Sequence, residues 1–399
     1  MLNTNIHFPR RLQNEIERYI DSPEIILITG LRRSGKTTLM KMLFEKIASD
    51  NKVFLDFENL LEQRLFDEVD FNNIVTNLKK FGLKSGENAF VFIDEVQNKP
   101  DCVHAIKYLF DHYKMKFLLT GSSSFYLKNL FPESLAGRKF IFELYPLDFE
   151  EFLIFKDRKK HFSHDFNIIA KEKNIFDYEK YKNDFEEYLY FGGFPQVTLA
   201  GTEEIKKKHL KDIFNSYFEK DVKTLADFRK MNDFRNLLFL LFPRIGSKLD
   251  ISKLSRETSI SRNTIYEYLY FLEATYFIHT VPQYSANAGK QVSKGKKIYF
   301  CDNGILNILA RVSEGSLFEN AVYLNLEKYG KIYYYQKQTG REIDFVIPEQ
   351  NTAIEVKVTA DIYDYKKLKL LSTPLNLKNS YVVSKNFDEK ENIISGLDI

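Results

Sequence analysis

Continuous apolar runs recur through the first part of the chain. They are EIILITG (24–30), KVFLDFEN (52–59), NAFVFIDE (88–95), KFLLTGSSS (116–124) and RKFIFELYPL (138–147). Runs that are apolar on successive residues suit strands buried on both faces, the pattern of a parallel sheet. Between them lie stretches with helical spacing: RLQNEIERYI (11–20), TTLMKMLFEKIASD (37–50) and HAIKYLFDHY (104–113). Strands alternating with helices predict a doubly wound α/β domain over residues 1–146.

The pattern then changes. From 147 to 240 it is charged and aromatic with helical spacing, as in FEEFLIFKDR and YEKYKNDFEEYLYF, and FGGFP (191–195) punctuates it as a turn. This predicts a helical connector. Residues 241–300 read helix, short turn, helix, and then two strands joined by a basic turn, a winged helix-turn-helix pattern. Residues 301–399 become mixed again, with a helix at SLFENAVYLNLEKY and strands at YYYQKQ, REIDFVI and TAIEVKVT, predicting a small α/β domain. No internal repeat is visible.

Length and composition refine this picture only slightly. A chain of 399 residues exceeds one ordinary core. Its formal net charge of +3 excludes global basicity as an argument for nucleic acid, so any such contact needs a local patch. Cys102 and Cys301 lack the spacing of a zinc site or a disulfide framework. Residues 1–10 have no apolar core of a signal peptide, and the apolar run 237–242 is far below membrane-spanning length. The expectation is a cytoplasmic protein with no membrane partner. The histidines, His279 among them, show no metal spacing.

The chemistry concentrates after the first buried run. Gly30, Leu31, Arg32, Arg33, Ser34, Gly35, Lys36 and Thr37 fit G-x-x-x-x-G-K-[ST] at every fixed position, and Thr38 continues into a helix. Such a loop curls backbone N–H groups around phosphates at a helix N-terminus. It predicts ATP as ligand, Lys36 on the β- and γ-phosphates and the Thr37 hydroxyl on Mg²⁺. Asp94 and Glu95 close the third run. Asp94 is expected to hold the metal through water, and Glu95 to polarise the attacking water. The fourth run ends in Thr120, Gly121, Ser122 and Ser123. Its polar end is expected between the two motif strands, close to the water or γ-phosphate.

Near the C-terminus, Asp344 lies in REIDFVI, and Glu355 and Lys357 follow in AIEVKVT. Residues two apart on a strand share a face, so Glu355 and Lys357 point together, and Asp344 can join them from the neighbouring strand. Glu319 is a fourth candidate. This is the D…E-x-K layout of PD-(D/E)XK nucleases, in which carboxylates such as Asp344 and Glu355 bind Mg²⁺ and the lysine orients water. An edge strand with solvated charges would give the same pattern. In the helix-turn-helix, Arg262, Asn263 and Thr264 open the second helix, where base-reading residues stand, and Lys290, Lys294, Lys296 and Lys297 form a basic cluster suited to phosphates. A winged helix that only packs against protein is the competing reading.

One strand intervenes between the P-loop strand and the Asp-Glu strand, and with the polar fourth strand this resembles AAA+ and STAND-like ATPases. More narrowly, GLRRSGKTTLM, FIDEVQ, LLTGSSSFYL, LAGRKF and YPLDFEEF resemble one bacterial and archaeal family. Its members join an AAA ATPase to a winged helix and a PD-(D/E)XK-like domain. The resemblance spans nearly the whole chain. In a ring-type ATPase, an arginine placed like Arg138 reaches the γ-phosphate of a neighbouring subunit. The resulting expectation is a Mg²⁺-dependent ATPase that couples ATP to DNA through its later domains. The alternatives are an ATP-gated nuclease, or a nucleotide-dependent homo-oligomerisation switch with a non-catalytic C-terminal domain.

Overall fold

In the computed structural model, which describes residues 8–121, 137–223, 231–285 and 295–399, the chain forms two compact units. The first comprises residues up to Tyr145, a short segment beginning at Ser216, and Ala274–Tyr276. The rest of the chain makes the second.

The five apolar runs form one parallel sheet: β1 (Ile25–Thr29), β2 (Lys52–Asp56), β3 (Phe90–Asp94), β4 (Lys116–Gly121) and β5 (Lys139–Glu143). The spatial order is β2-β3-β4-β1-β5. Alternation along the strands divides the core. Ile25, Leu27, Val91, Ile93, Phe117 and Leu119 pack on one face against the helices Asn72–Lys80 and Cys102–Tyr113. Ile26, Ile28, Phe92 and Leu118 pack on the other against Ile16 and the helix Lys36–Lys46. Both faces are covered, which is why the strands read as unbroken apolar runs. β4 lies between β1 and β3, so the ends of the two motif strands flank the polar end of β4.

In the second unit, the helix Ile251–Thr258 and the helix Arg262–Ala274, all but its last residue, are followed by an antiparallel pair, β6 (Ile278–Val281) and β7 (Lys297–Phe300). The last hundred residues hold a second sheet, β12-β11-β10-β9-β8, made of β8 (Tyr333–Gln336), β9 (Glu342–Ile347), β10 (Thr352–Lys357), β11 (Asn379–Ser384) and β12 (Ile393–Ser395). β11 and β12 pair in parallel with their neighbours, and the others run antiparallel. The helix Ile362–Ser372 covers this sheet through Leu368 and Leu371. That helix, β11 and β12 extend the mixed pattern beyond the three strands read from the sequence.

The turn FGGFP is locked by a distant carboxylate. Asp302 caps the helix Asn303–Leu309 by accepting the Ile305 N–H at 3.0 Å, and its other oxygen accepts the Gly193 N–H at 2.7 Å. Burial pushes this carboxyl up to about 7. Gly192 sits at φ +73°, ψ −166°, a region open essentially to glycine alone. Cys102 and Cys301 are both free thiols and buried. Among the described residues no helix is long and apolar enough to cross a membrane.

Candidate nucleotide site

The carboxyl ends of β1, β3 and β4 converge on the loop 30–35. The loop needs its glycines. At Gly30 (φ +149°) a Cβ would lie 2.1 Å from the Leu144 carbonyl oxygen, and Gly35 starts the helix at φ +103°. Arg33 between them also has positive φ, +65°. Lys36 is buried, and its ammonium donates to the carbonyls of Gly30 (3.0 Å) and Leu31 (2.8 Å). Burial pushes this ammonium below the ordinary lysine range. Glu95 and Asp221 oppose the shift, and the Arg32 charge adds to it.

Asp94 is the hub of the side chains around the loop. Thr37 Oγ1 donates to its Oδ2 at 2.7 Å, and Thr120 Oγ1 donates to its Oδ1. The Thr120 hydroxyl also accepts the Glu95 N–H at 3.1 Å. One hydroxyl on the middle strand thus fixes both carboxylate residues of the neighbouring strand. Burial pushes the Asp94 carboxyl up, and the two hydroxyl bonds hold it back. Glu95 adopts the left-handed conformation, φ 54° and ψ 48°, and takes a hydrogen bond from Gln97 Nε2. Such a backbone costs a non-glycine residue about 1–3 kcal/mol and clusters at functional sites. Thr37 and Asp94 supply hard oxygen donors at one point, a set that fits Mg²⁺.

Two members of this site carried no motif. Arg10 is buried and clamps the loop, donating to Ser34 O at 2.9 Å and Tyr145 O at 2.7 Å. Asp221, 189 positions beyond Arg32, accepts the Arg32 Nε–H at 3.0 Å. Its carboxyl is raised to about 6, first by burial, with Arg32 and Lys36 opposing and Glu95 adding. A signal for Asp221 was present: in YFEKDV it shares helical spacing with Tyr217, Phe218 and Val222, all buried. Arg10 had none.

Arg138 stands elsewhere. It precedes β5 at the amino end of the sheet, where its carbonyl accepts the Ile25 N–H at 2.8 Å, and its guanidinium pairs with Asp111 at 3.1 Å. The loop 30–35 lies at the opposite end of β1. Ser122, Ser123, Lys290 and Lys294 fall outside the described residues.

The chain matches an AAA domain model over residues 22–153, and two domains of unknown function, DUF8612 over 182–316 and DUF4143 over 314–394. MJ1544 of Methanocaldococcus jannaschii is 32% identical over 354 residues, covering 85% of this chain and 76% of that protein. The chain belongs to an AAA-type ATPase family. A further relative of the family, an uncharacterized protein of Haemophilus influenzae, is 26% identical over 96% of this chain and 94% of its own length. Among solved structures, the Walker-type ATPase PABY2304 of Pyrococcus abyssi aligns with TM-score 0.50 at 15% identity, over 76% of this chain and 95% of that one. That likeness supports the fold.

The C-terminal carboxylates also converge. Asp344 Oδ2 accepts the Val356 N–H at 2.9 Å, which ties β9 to β10 beside Glu355. Lys357 Nζ lies 2.6 Å from Glu355 Oε1. Glu319 accepts the Tyr299 hydroxyl at 2.7 Å. The unexpected member is Lys297. The sequence pattern put it in a basic cluster suited to phosphates, but it is 2% exposed and lies 3.3 Å from Glu342, 3.4 Å from Asp344 and 3.9 Å from Glu319. Its position on β7 turns it inward with Tyr299, two residues on. Lys296 is exposed, donating to Thr280 Oγ1 at 3.0 Å, so the two lysines point apart. Among the described residues no group of three or more His, Cys, Asp or Glu is arranged to hold a metal ion. The Lys297 ammonium stands among Asp344, Glu319 and Glu342, while Glu355 pairs with Lys357. Glu319 and Glu355 are each pushed up to about 7, first by burial and then by the Asp344 charge.

Proposed function

We propose that this protein binds ATP at the loop 30–37 and hydrolyses it with Mg²⁺. The observation that carries this reading is the convergence of Thr37 and Thr120 on Asp94, with the same Thr120 hydroxyl holding the Glu95 backbone. Thr37 and Asp94 would hold Mg²⁺, which would neutralise charge on the β- and γ-phosphates. The N–H groups of Gly35 through Thr38 and the helix N-terminus receive the phosphates. Lys36 exchanges its carbonyl acceptors for phosphate oxygens. Glu95 accepts a hydrogen bond from the attacking water and orients it. In a purified sample, Lys36→Ala abolishes turnover, and Glu95→Gln binds ATP without hydrolysing it. Turnover that survives both substitutions refutes the assignment.

A second reading concerns the partner. Arg262 and Asn263 are exposed at the start of the second helix of a helix-turn-helix that is followed by a two-stranded ribbon. This arrangement supports duplex DNA as the macromolecule whose binding ATP controls. DNA should stimulate the ATPase, and Arg262→Ala should abolish the stimulation while leaving the basal rate intact. Equal rates with and without DNA refute it.

A further inference from the structure

The AAA domain model ends at residue 153, yet the nucleotide site does not. Asp221 belongs to the same compact unit as the loop, although its chain neighbours before Ser216 belong to the other unit. Its mount is rigid. The segment Tyr217–Val222 is a π-helix, a widened turn that recurs at functional sites. Phe218 and Val222 are buried, and the Tyr217 hydroxyl is hydrogen-bonded to Thr275 Oγ1 at 2.8 Å. The Asp221 side chain is 2% exposed, and Arg32 is 16% exposed.

The contact uses only one of the five donors of Arg32. Nε gives its hydrogen to Asp221, and among the described residues the two terminal nitrogens, with four N–H groups, donate to no protein acceptor. A guanidinium pinned through Nε keeps a planar, forked face in one orientation, the geometry that matches phosphate oxygens. That face is local to the reacting groups. Arg32 is the third residue of the loop, and its charge bears on Lys36, while Asp221 bears on both Lys36 and Glu95.

We propose that Arg32 is an arginine acting in cis on the γ-phosphate, and that Asp221 is the positioning residue that aims it. The inference rests on the reading of this loop as an ATPase site. A free arginine side chain samples many rotamers and loses that freedom when it is ordered. The buried carboxylate removes that freedom before nucleotide arrives. The charge that develops on the transferred phosphoryl group then meets donors already in place. An arginine in this position needs no neighbouring subunit.

The test uses the full-length chain. Turnover, KM and the affinities for ADP and a non-hydrolysable ATP analogue are measured for wild type, Arg32→Ala, Arg32→Lys, Asp221→Asn and the double variant Arg32→Ala/Asp221→Asn. Arg32→Ala is expected to lower kcat by roughly 10³-fold. Asp221→Asn, which misplaces the fork, lowers it by about 10²-fold. Both keep ADP affinity within about threefold and lose the preference for the ATP analogue over ADP. Arg32→Lys keeps the charge without the fork and loses kcat as Arg32→Ala does. The double variant falls no further than Arg32→Ala, because the two residues act as a unit. Losses that multiply overturn the pairing, as does an Asp221→Asn variant that binds ADP and the analogue equally more tightly, the signature of a mere competitor for phosphate. If wild-type turnover does not exceed that of Lys36→Ala, the ATPase reading itself falls. An active wild type with unchanged kcat in Asp221→Asn overturns only the role of the pair.

Discussion

Replacing Lys297 by Met tests what the C-terminal carboxylate cluster is for. The substitution keeps most of the side-chain volume and removes the charge, so packing loss stays small. It leaves Asp344, Glu319 and Glu342 facing one another without the ammonium that stands within 3.3–3.9 Å of all three. Removing one partner of a buried pair costs about 3–5 kcal/mol. Glu342 is 38% exposed, and Glu319 20%, so solvent screens part of the repulsion and the low end, about 3 kcal/mol, applies. The penalty depends on pH. The Glu319 carboxyl stands at about 7 against an ordinary 4.5, so the folded state holds its proton more tightly than the unfolded state. Stability linked to such a group is full below about pH 4.5 and declines as pH rises through 7. Without Lys297 the folded-state value climbs further, so the variant loses most at pH 8.5 and least at pH 5.5. Thermal melting should show a drop of roughly 6–12 °C at the higher pH and a clearly smaller one at the lower. Millimolar Mg²⁺ should recover part of the loss in the variant, because the freed carboxylates are hard oxygen donors. An equal drop at both pH values would mean lost packing, and would refute the electrostatic account.

Three further substitutions probe the rest of the molecule. Thr120→Val removes the hydroxyl shared by Asp94 and the Glu95 N–H; losing a charge-assisted bond of about 1.5–3 kcal/mol predicts a kcat roughly ten- to a hundredfold lower with KM little changed, read by steady-state kinetics. Gly192→Ala places a Cβ 2.0 Å from Asp302 Oδ2 at a backbone angle that only glycine tolerates, so a loss of about 3 kcal/mol or more should appear in denaturant unfolding. Arg138→Ala breaks a pair whose side chains are 38% and 35% exposed, so stability should move by less than about 1 kcal/mol and kcat should stay within about twofold of wild type; a thousandfold loss would instead put Arg138 on a neighbour's phosphate.

The first unit was legible because its information is local. A strand buried on both faces must be apolar at every position, and a phosphate loop must carry glycine where φ is positive. Gly30, Gly35, Lys36 and Thr37 therefore announce both fold and ligand. The strand order was legible only in part. The polar end of β4 suggested a place beside Asp94, and the parallel pairing with both motif strands puts it there. β11 and β12 escaped because neither carries a chemical motif and their apolar stretches are short.

Lys297 and Asp221 escaped for a different reason, and it bears on how such chains are read. Each is a charged residue on an otherwise apolar face, and each is tolerated there only because a partner arrives from far away in sequence. A buried ion costs several kcal/mol unless it is paired, so an inward charge implies an opposite charge that the local window cannot reveal. Periodicity can flag the orphan: Asp221 shares helical spacing with Tyr217, Phe218 and Val222, and Lys297 shares strand parity with Tyr299. It cannot supply the partner, which for Asp221 lies 189 positions earlier, in the phosphate loop itself. The charges that break an apolar pattern are thus the places where this chain commits distant segments to one site, and the ATP site is built from one of them.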